Sequence, residues 1–266
     1  MRSFVSGLAA QGRYFFASRE AQSALEISPA AAKLALNRLA RHEMVASPAR
    51  GSYVIVPPEY RSLGCLPAEQ FVPALMRSLG LSYYAGLLSA AQFHGAAHHR
   101  PQEFQVFLAK NRRPIRCGRV RVAFVARKRI SEVPVQSFNT PRGTILVSTP
   151  EATAIDLVGY EKHAGGLDQV ATILAELAEK IAPEKLAVVA ATAPIPWAQR
   201  LGYLLDLVGA GEKASGLKAY VKQHARLAAA LLPTAAYKDS RRVDAWNLYI
   251  NVGVEPSGHC SRPRIE

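Results

Sequence analysis

Residues 18–57 read SREAQSALEISPAAAKLALNRLARHEMVASPARGSYVIVP. Ser18 is expected to cap a short helix over 19–26, and Ile27-Ser28 to make a turn. Pro29 then opens a second helix to about His42, with Ser28 as its N-cap. Proline suits the first helical position, where its missing N–H leaves no intrahelical bond unmade. Met44-Val45, a polar loop over 47–52 and the apolar run 53–56 follow, and Pro57-Pro58 stops the run. Helix, tight turn, helix and a two-stranded wing is the order of a winged helix-turn-helix.

The second helix has two unlike faces. Ala32, Leu36 and Leu39 recur at helical spacing and are expected to pack on the first helix. Ala30, Lys33, Asn37 and Arg41 recur on the other side, with Arg38 beside them. A helix entering the major groove needs small residues near its start, then Asn for adenine edges and Arg or Lys for guanine edges or phosphates. Arg50, next to Gly51 at the expected wing tip, is a candidate for a minor-groove or phosphate contact. The competing reading is an ordinary solvated helix and a surface loop arginine.

The whole chain agrees with a polyanionic partner. Its net charge is +13 and its pI is near 9.9, which favours nucleic acid. Hydrophobic content of 49% argues against disorder. With 266 residues there is room for two domains. The charge is uneven. Residues 100–130 hold ten Lys or Arg against Glu103 alone, whereas residues 1–62 hold eight against four acids. The denser patch is expected to extend a DNA footprint along phosphates, with Arg119 and Arg121 on one strand face. It could instead face an acidic protein or RNA, or serve as solubilising surface.

A boundary is expected at 57–67, giving domains over 1–60 and 61–266. The second is read as mixed α+β: helices over 68–79 and 82–93, strands over 104–108, 119–126, 133–138 and 144–147, then helices from Thr149-Pro150-Glu151 onward. Those later helices are read over 167–180, 184–191, 197–208 and 217–231, with a late strand at 246–252. Cys65, Cys117 and Cys260 are scattered, with no Cys-x-x-Cys pair, so reduced thiols in a cytoplasmic protein are the default. No apolar run approaches the ~18 residues of a membrane span.

These segments together resemble the AbiEi family, antitoxins of type IV toxin–antitoxin systems. The strings that carry the resemblance are GSYVIVPP (51–58), YYAGLL (83–88), QFHG (92–95), TPEATAIDLV (149–158), QRLGYLLD (199–206) and WNLYIN (246–251), in that order. They span nearly the whole chain, short of its tail. The resemblance implies a protein that binds inverted repeats in its own promoter and represses it. It also implies antitoxin activity in the C-terminal region against a nucleotidyltransferase-like toxin, without a stable complex being required. The helix opened by Pro29 is Ala-rich (Ala30, Ala31, Ala32, Ala35), so no base-reading residue is carried over from the family.

Other chemistry is weakly encoded. His94, His98 and His99 offer an i, i+4 imidazole pair but no third metal ligand. Residues 209–215 glance at a phosphate loop, yet Glu212 stands where glycine must precede the lysine. Acids are sparse among the expected strands, so a Mg²⁺-dependent nuclease lacks its carboxylate cluster. No cofactor, metal or catalytic residue is expected. The reading is a DNA-binding repressor–antitoxin, with an effector-responsive regulator lacking a toxin partner as the main alternative and a metal-dependent nuclease as a further one.

Overall fold

A computed structural model describes residues 1–96 and 101–256. It is a mixed α+β structure with two compact units. One comprises residues 1–85, 101–131 and 136–147; the other comprises 86–100, 132–135 and 148–266.

The first unit begins with α1 (Arg2–Ala10), β1 (Phe15–Ala17), α2 (Ser18–Leu25) and α3 (Pro29–Arg41), followed by β2 (Val45–Ala49) and β3 (Ser52–Ile55). The start of α3 follows from local chemistry. The Ser28 hydroxyl accepts from Ala31 N at 3.2 Å and Pro29 occupies the first turn. Arg38 and Arg41 sit in its last turn, where cations complement the helix dipole. Ser18 does not cap α2 as expected. Its amide donates to Gly51 O at 2.8 Å, and Ala17 stands at the cap position.

The three strands form an antiparallel sheet in the order β1-β3-β2. Its two faces enter different cores, because successive strand residues point to opposite sides. Ile55 joins Val5, Leu8, Phe16, Ala21, Leu36, Leu39 and Val45 under the helices. Val54 faces the other way, into a cluster with Cys65, Leu66, Phe71, Leu75, Val106, Cys117 and Val122. Residues past 60 therefore bury a face of this small sheet, and the unit continues through the larger sheet.

That larger part is α4 (Ala68–Ser78), β4 (Tyr83–Ala85), β5 (Phe104–Leu108), β6 (Ile115–Cys117), β7 (Val120–Ala126), β8 (Val135–Thr140) and β9 (Gly143–Ser148). The six strands run in the order β6-β7-β5-β4-β9-β8. The helix expected over 82–93 is corrected: residues 83–85 are a strand. Tyr83, Tyr84 and Ala85 pair antiparallel with Leu108, Phe107 and Val106, and Ala85 also pairs parallel with Val147. Pairing with strands far along the chain overrides the helical spacing, and the Tyr84 and Phe107 rings meet at 5.0 Å.

The second unit is mainly helical: α5 (Leu87–Phe93), α6 (Pro150–Gly159), α7 (Leu167–Leu177), α8 (Pro183–Ala190), α9 (Ile195–Leu207) and α10 (Ser215–His224). Helix α6 carries TPEATAIDLV and is buried all round from Glu151 to Val158, as expected of a helix at the centre of a bundle. It packs against α5, α7, α8 and α9. Thr149 accepts from Ala152 N at 3.3 Å as its cap. The Glu151 carboxylate, buried, accepts from Ala182 N at 2.9 Å. The helix expected over 217–231 ends at His224. Beyond it Ala229 and Ala230 pair parallel with Leu248 and Tyr249 in a three-stranded sheet of β10 (Ala229–Ala230), β11 (Arg241–Val243) and β12 (Leu248–Ile250). Residues 209–215 follow α9 and lead through a tight turn into α10, with Gly209 at φ +80°. No helix among the described residues is long and apolar enough to cross a membrane.

Candidate nucleic-acid interface

Helix α3 buries Ala32, Leu36 and Leu39 and exposes Lys33, Asn37, Arg38 and Arg41. None of these four polar side chains has a hydrogen-bond or ion-pair partner among the described residues. At 100° per residue, Ala30, Leu34, Asn37 and Arg41 form the stripe opposite the buried one, flanked by Lys33 and Arg38. Leu34 lies at its centre and is 61% exposed. The sequence reading passed over Leu34. Its signal was an aliphatic residue displaced from the Ala32-Leu36-Leu39 spacing by half a helical turn.

Arg50 is exposed in the turn between β2 and β3, beside Gly51 at φ +76°. The hairpin is irregular: its register shifts between Ala46 and Ala49. The Ser47 hydroxyl is 3.0 Å from both Ala49 O and Ser52 O and pins the irregular turn. Because Gly51 O receives the Ser18 amide, the tip carrying Arg50 lies at the start of α2.

The basic patch resolves into exposed and buried members. Arg116 on β6 and Arg121 on β7 are register partners on the sheet edge, and both are exposed, as is Arg119. Like charges directly opposite each other on a sheet repel, so this pair gains from an anion laid across it. Gly118, at φ +58°, opens the two-residue turn between the strands, the conformation that a tight hairpin requires. A Cβ there would lie 2.3 Å from Leu63 O, and Arg119 N donates to that same oxygen at 2.8 Å. The turn is thereby fastened to residues 63–64. Strand β6 lies beside β2. Arg127 is buried and contributes nothing to the surface charge counted from the sequence. Arg112 lies 5.9 Å from the Phe124 ring centroid. Arg100, His98, His99 and Cys260 lie outside the described residues.

His94, the remaining member of the histidine group, is turned inward. Its Nε2 donates to Ser148 O at 2.8 Å, and burial pushes its pKa below the usual histidine value against the opposing effects of that carbonyl and of Glu151. Among the described residues no group of three or more His, Cys, Asp or Glu could hold a metal ion.

The chain is similar in fold to the RV2827C protein from Mycobacterium tuberculosis, with a TM-score of 0.65 and 18% sequence identity, over 92% of this chain and 89% of that one. A looser likeness, TM-score 0.41 and 12% identity over 57% of this chain and 91% of the other, links it to an antigenic nucleotidyltransferase-like protein from Paracoccidioides brasiliensis. No curated protein matches the chain. Residues 84–207 match the model of the AbiEi antitoxin C-terminal domain. That span runs from Tyr84 in β4 to the end of α9 and includes the buried helix α6. Residues 84–207, just under half of the chain, are thus similar to the AbiEi antitoxin C-terminal domain.

Proposed function

We propose that the protein is a DNA-binding repressor and antitoxin whose residues 1–60 act as a winged helix-turn-helix on operator DNA. The carrying observation is α3. It hides its aliphatic stripe and leaves Lys33, Asn37, Arg38 and Arg41 unpartnered in solvent. Helix α3 enters the major groove. Asn37 and Arg41 reach base edges or nearby phosphates, and Leu34 gives an apolar surface for a thymine methyl. Arg50 and the start of α2 lie on the flanking backbone. Arg119 and Arg121, with Arg116, extend the phosphate track along the β6–β7 edge.

The match of residues 84–207 to the AbiEi antitoxin C-terminal domain supports the antitoxin half of this reading. In it the protein represses its own operon through promoter inverted repeats and counters a nucleotidyltransferase-like toxin, in the cytoplasm and without catalysis of its own. Gel-shift titration on the upstream promoter tests the DNA half. With about six phosphate contacts, affinity should fall ~10³-fold between ~50 and ~200 mM salt, and the DNA should remain uncut in Mg²⁺. A flat salt response would remove the electrostatic footprint. Growth rescue on co-expression with the neighbouring toxin gene tests the antitoxin half, and lack of rescue removes it.

A further inference from the structure

A cleft of about 480 Å³ opens in the second unit, between the end of α6 and the first turns of α9. The size falls within the ~300–1,000 Å³ typical of small-ligand pockets. Tyr160 and Trp197 form an aromatic wall, with ring centroids 5.2 Å apart and planes at 71°. The backbone at Gly159 brings Trp197 in close: a Cβ there would lie 2.3 Å from the indole. Lys162 and His163 stand at the rim, and Glu161 also lines the space.

The floor holds the unusual group. Arg200 lines the cleft although it is only 8% exposed. Its Nε donates to Ala230 O at 2.9 Å, which fixes the guanidinium. Its two Nη nitrogens have no hydrogen-bond partner among the described residues. Burial lowers its pKa, with Glu161 acting the other way, yet Glu161 forms no ion pair with it. A buried, oriented guanidinium fork with free N–H groups is a two-pronged donor site for the oxygens of a carboxylate or phosphate. With Arg200 and Lys162 both lining the cleft against Glu161 alone, the lining carries a net positive charge when His163 is neutral.

We infer that this cleft binds a small planar anion, an aromatic or heteroaromatic ring bearing a carboxylate or phosphate. The oxyanion meets the Arg200 fork and Lys162, and the ring packs on Trp197 and Tyr160. Glu161 accepts an N–H from the ring or its substituent. This site is separate in residues and in chemistry from the α3 surface, and it stands whether or not α3 binds DNA.

Ligand-observed NMR and calorimetric titration of the full chain test it with two sets of probes: the four nucleoside monophosphates, and benzoate with tryptophan. Inorganic phosphate alone is the control. Saturable binding of one set, with phosphate alone weaker, is expected, and the set that binds identifies the source of the anion. Arg200→Lys should weaken binding by about tenfold or more, because an ammonium cannot reproduce the fork. Because Arg200 also holds Ala230 O, two exposed positions provide tests that leave the fold intact. Lys162→Ala should weaken binding a few-fold, on the order of a surface ion pair, and Thr234→Trp should block the mouth. No saturable binding by either set would overturn the inference. So would binding that Lys162→Ala and Thr234→Trp leave unchanged, or phosphate alone binding as tightly as the ring-bearing probes.

Discussion

Gly202 on α9 is the notch into which Trp246 fits: a Cβ at 202 would sit 2.1 Å from the indole ring. One turn later on the same helix, Asp206 Oδ2 accepts the indole N–H at 2.6 Å. The strings QRLGYLLD and WNLYIN are therefore two halves of one packing unit. Gly202→Ala should destabilise the protein by about 1–3 kcal/mol through overpacking, read from urea unfolding. Trp246→Ala in the same chain should relieve part of that loss, so the two effects should be non-additive. Strict additivity would mean that the notch does not matter.

Arg142, just before β9, joins distant parts of the first unit. Its guanidinium lies 3.4 Å from the Tyr14 ring centroid, and it donates to Gln70 Oε1 at 2.9 Å and to Glu59 Oε1 at 3.2 Å. Arg142→Ala should cost about 1–3 kcal/mol in denaturant unfolding. Arg142→Lys should recover little, since an ammonium cannot stack and fork at once. Full rescue by lysine would show that charge alone matters there.

Two substitutions on α3 should separate phosphate contact from base reading. Lys33→Ala should weaken binding to specific and unrelated DNA alike and lower the salt slope by about one. Leu34→Ala should leave the slope unchanged and cost about 1 kcal/mol on the specific site alone. Equal effects of both variants on unrelated DNA would reassign Leu34 to another partner.

Acid should loosen the second unit through His94. Its folded pKa lies below the ordinary value because it is buried, so the unfolded chain takes up the proton first. Its contribution to stability is complete above about 6.5, the unfolded value, and is lost as pH falls through the folded value. His94→Asn should therefore flatten the dependence of the unfolding midpoint between about pH 7.5 and 5.5. An identical dependence in both proteins would place the acid response elsewhere.

Cys65 and Cys117 are buried neighbours that share a hydrogen bond, with the proton held on Cys65; that bond and burial push the Cys65 pKa up. Neither should react with iodoacetamide in the native protein, and both should in urea, as read by peptide mass. Native labelling of either would mean that the segment fastened to Gly118 opens readily.

Features set by neighbouring residues can be read from the chain alone. The start of α3 was legible because its cap and proline lie within four residues of each other. The α6 start at Thr149-Pro150 was legible for the same reason. The division of α3 into a buried and an exposed stripe followed from helical periodicity, and β7 was legible through its alternation of Val and Arg. Features set by distant partners emerge only from the folded arrangement. β4 is three residues long, too short for a period, and exists because Val106, Phe107 and Val147 pair with it. Arg121 and Arg127 look alike in the chain, yet one is exposed and the other buried. Arg200 lines the α6–α9 cleft with its Nε held by Ala230 O, thirty residues on. Local hydrogen bonding and periodicity are written in adjacent residues, whereas burial and partner choice are settled by which distant segments fill the space around a side chain.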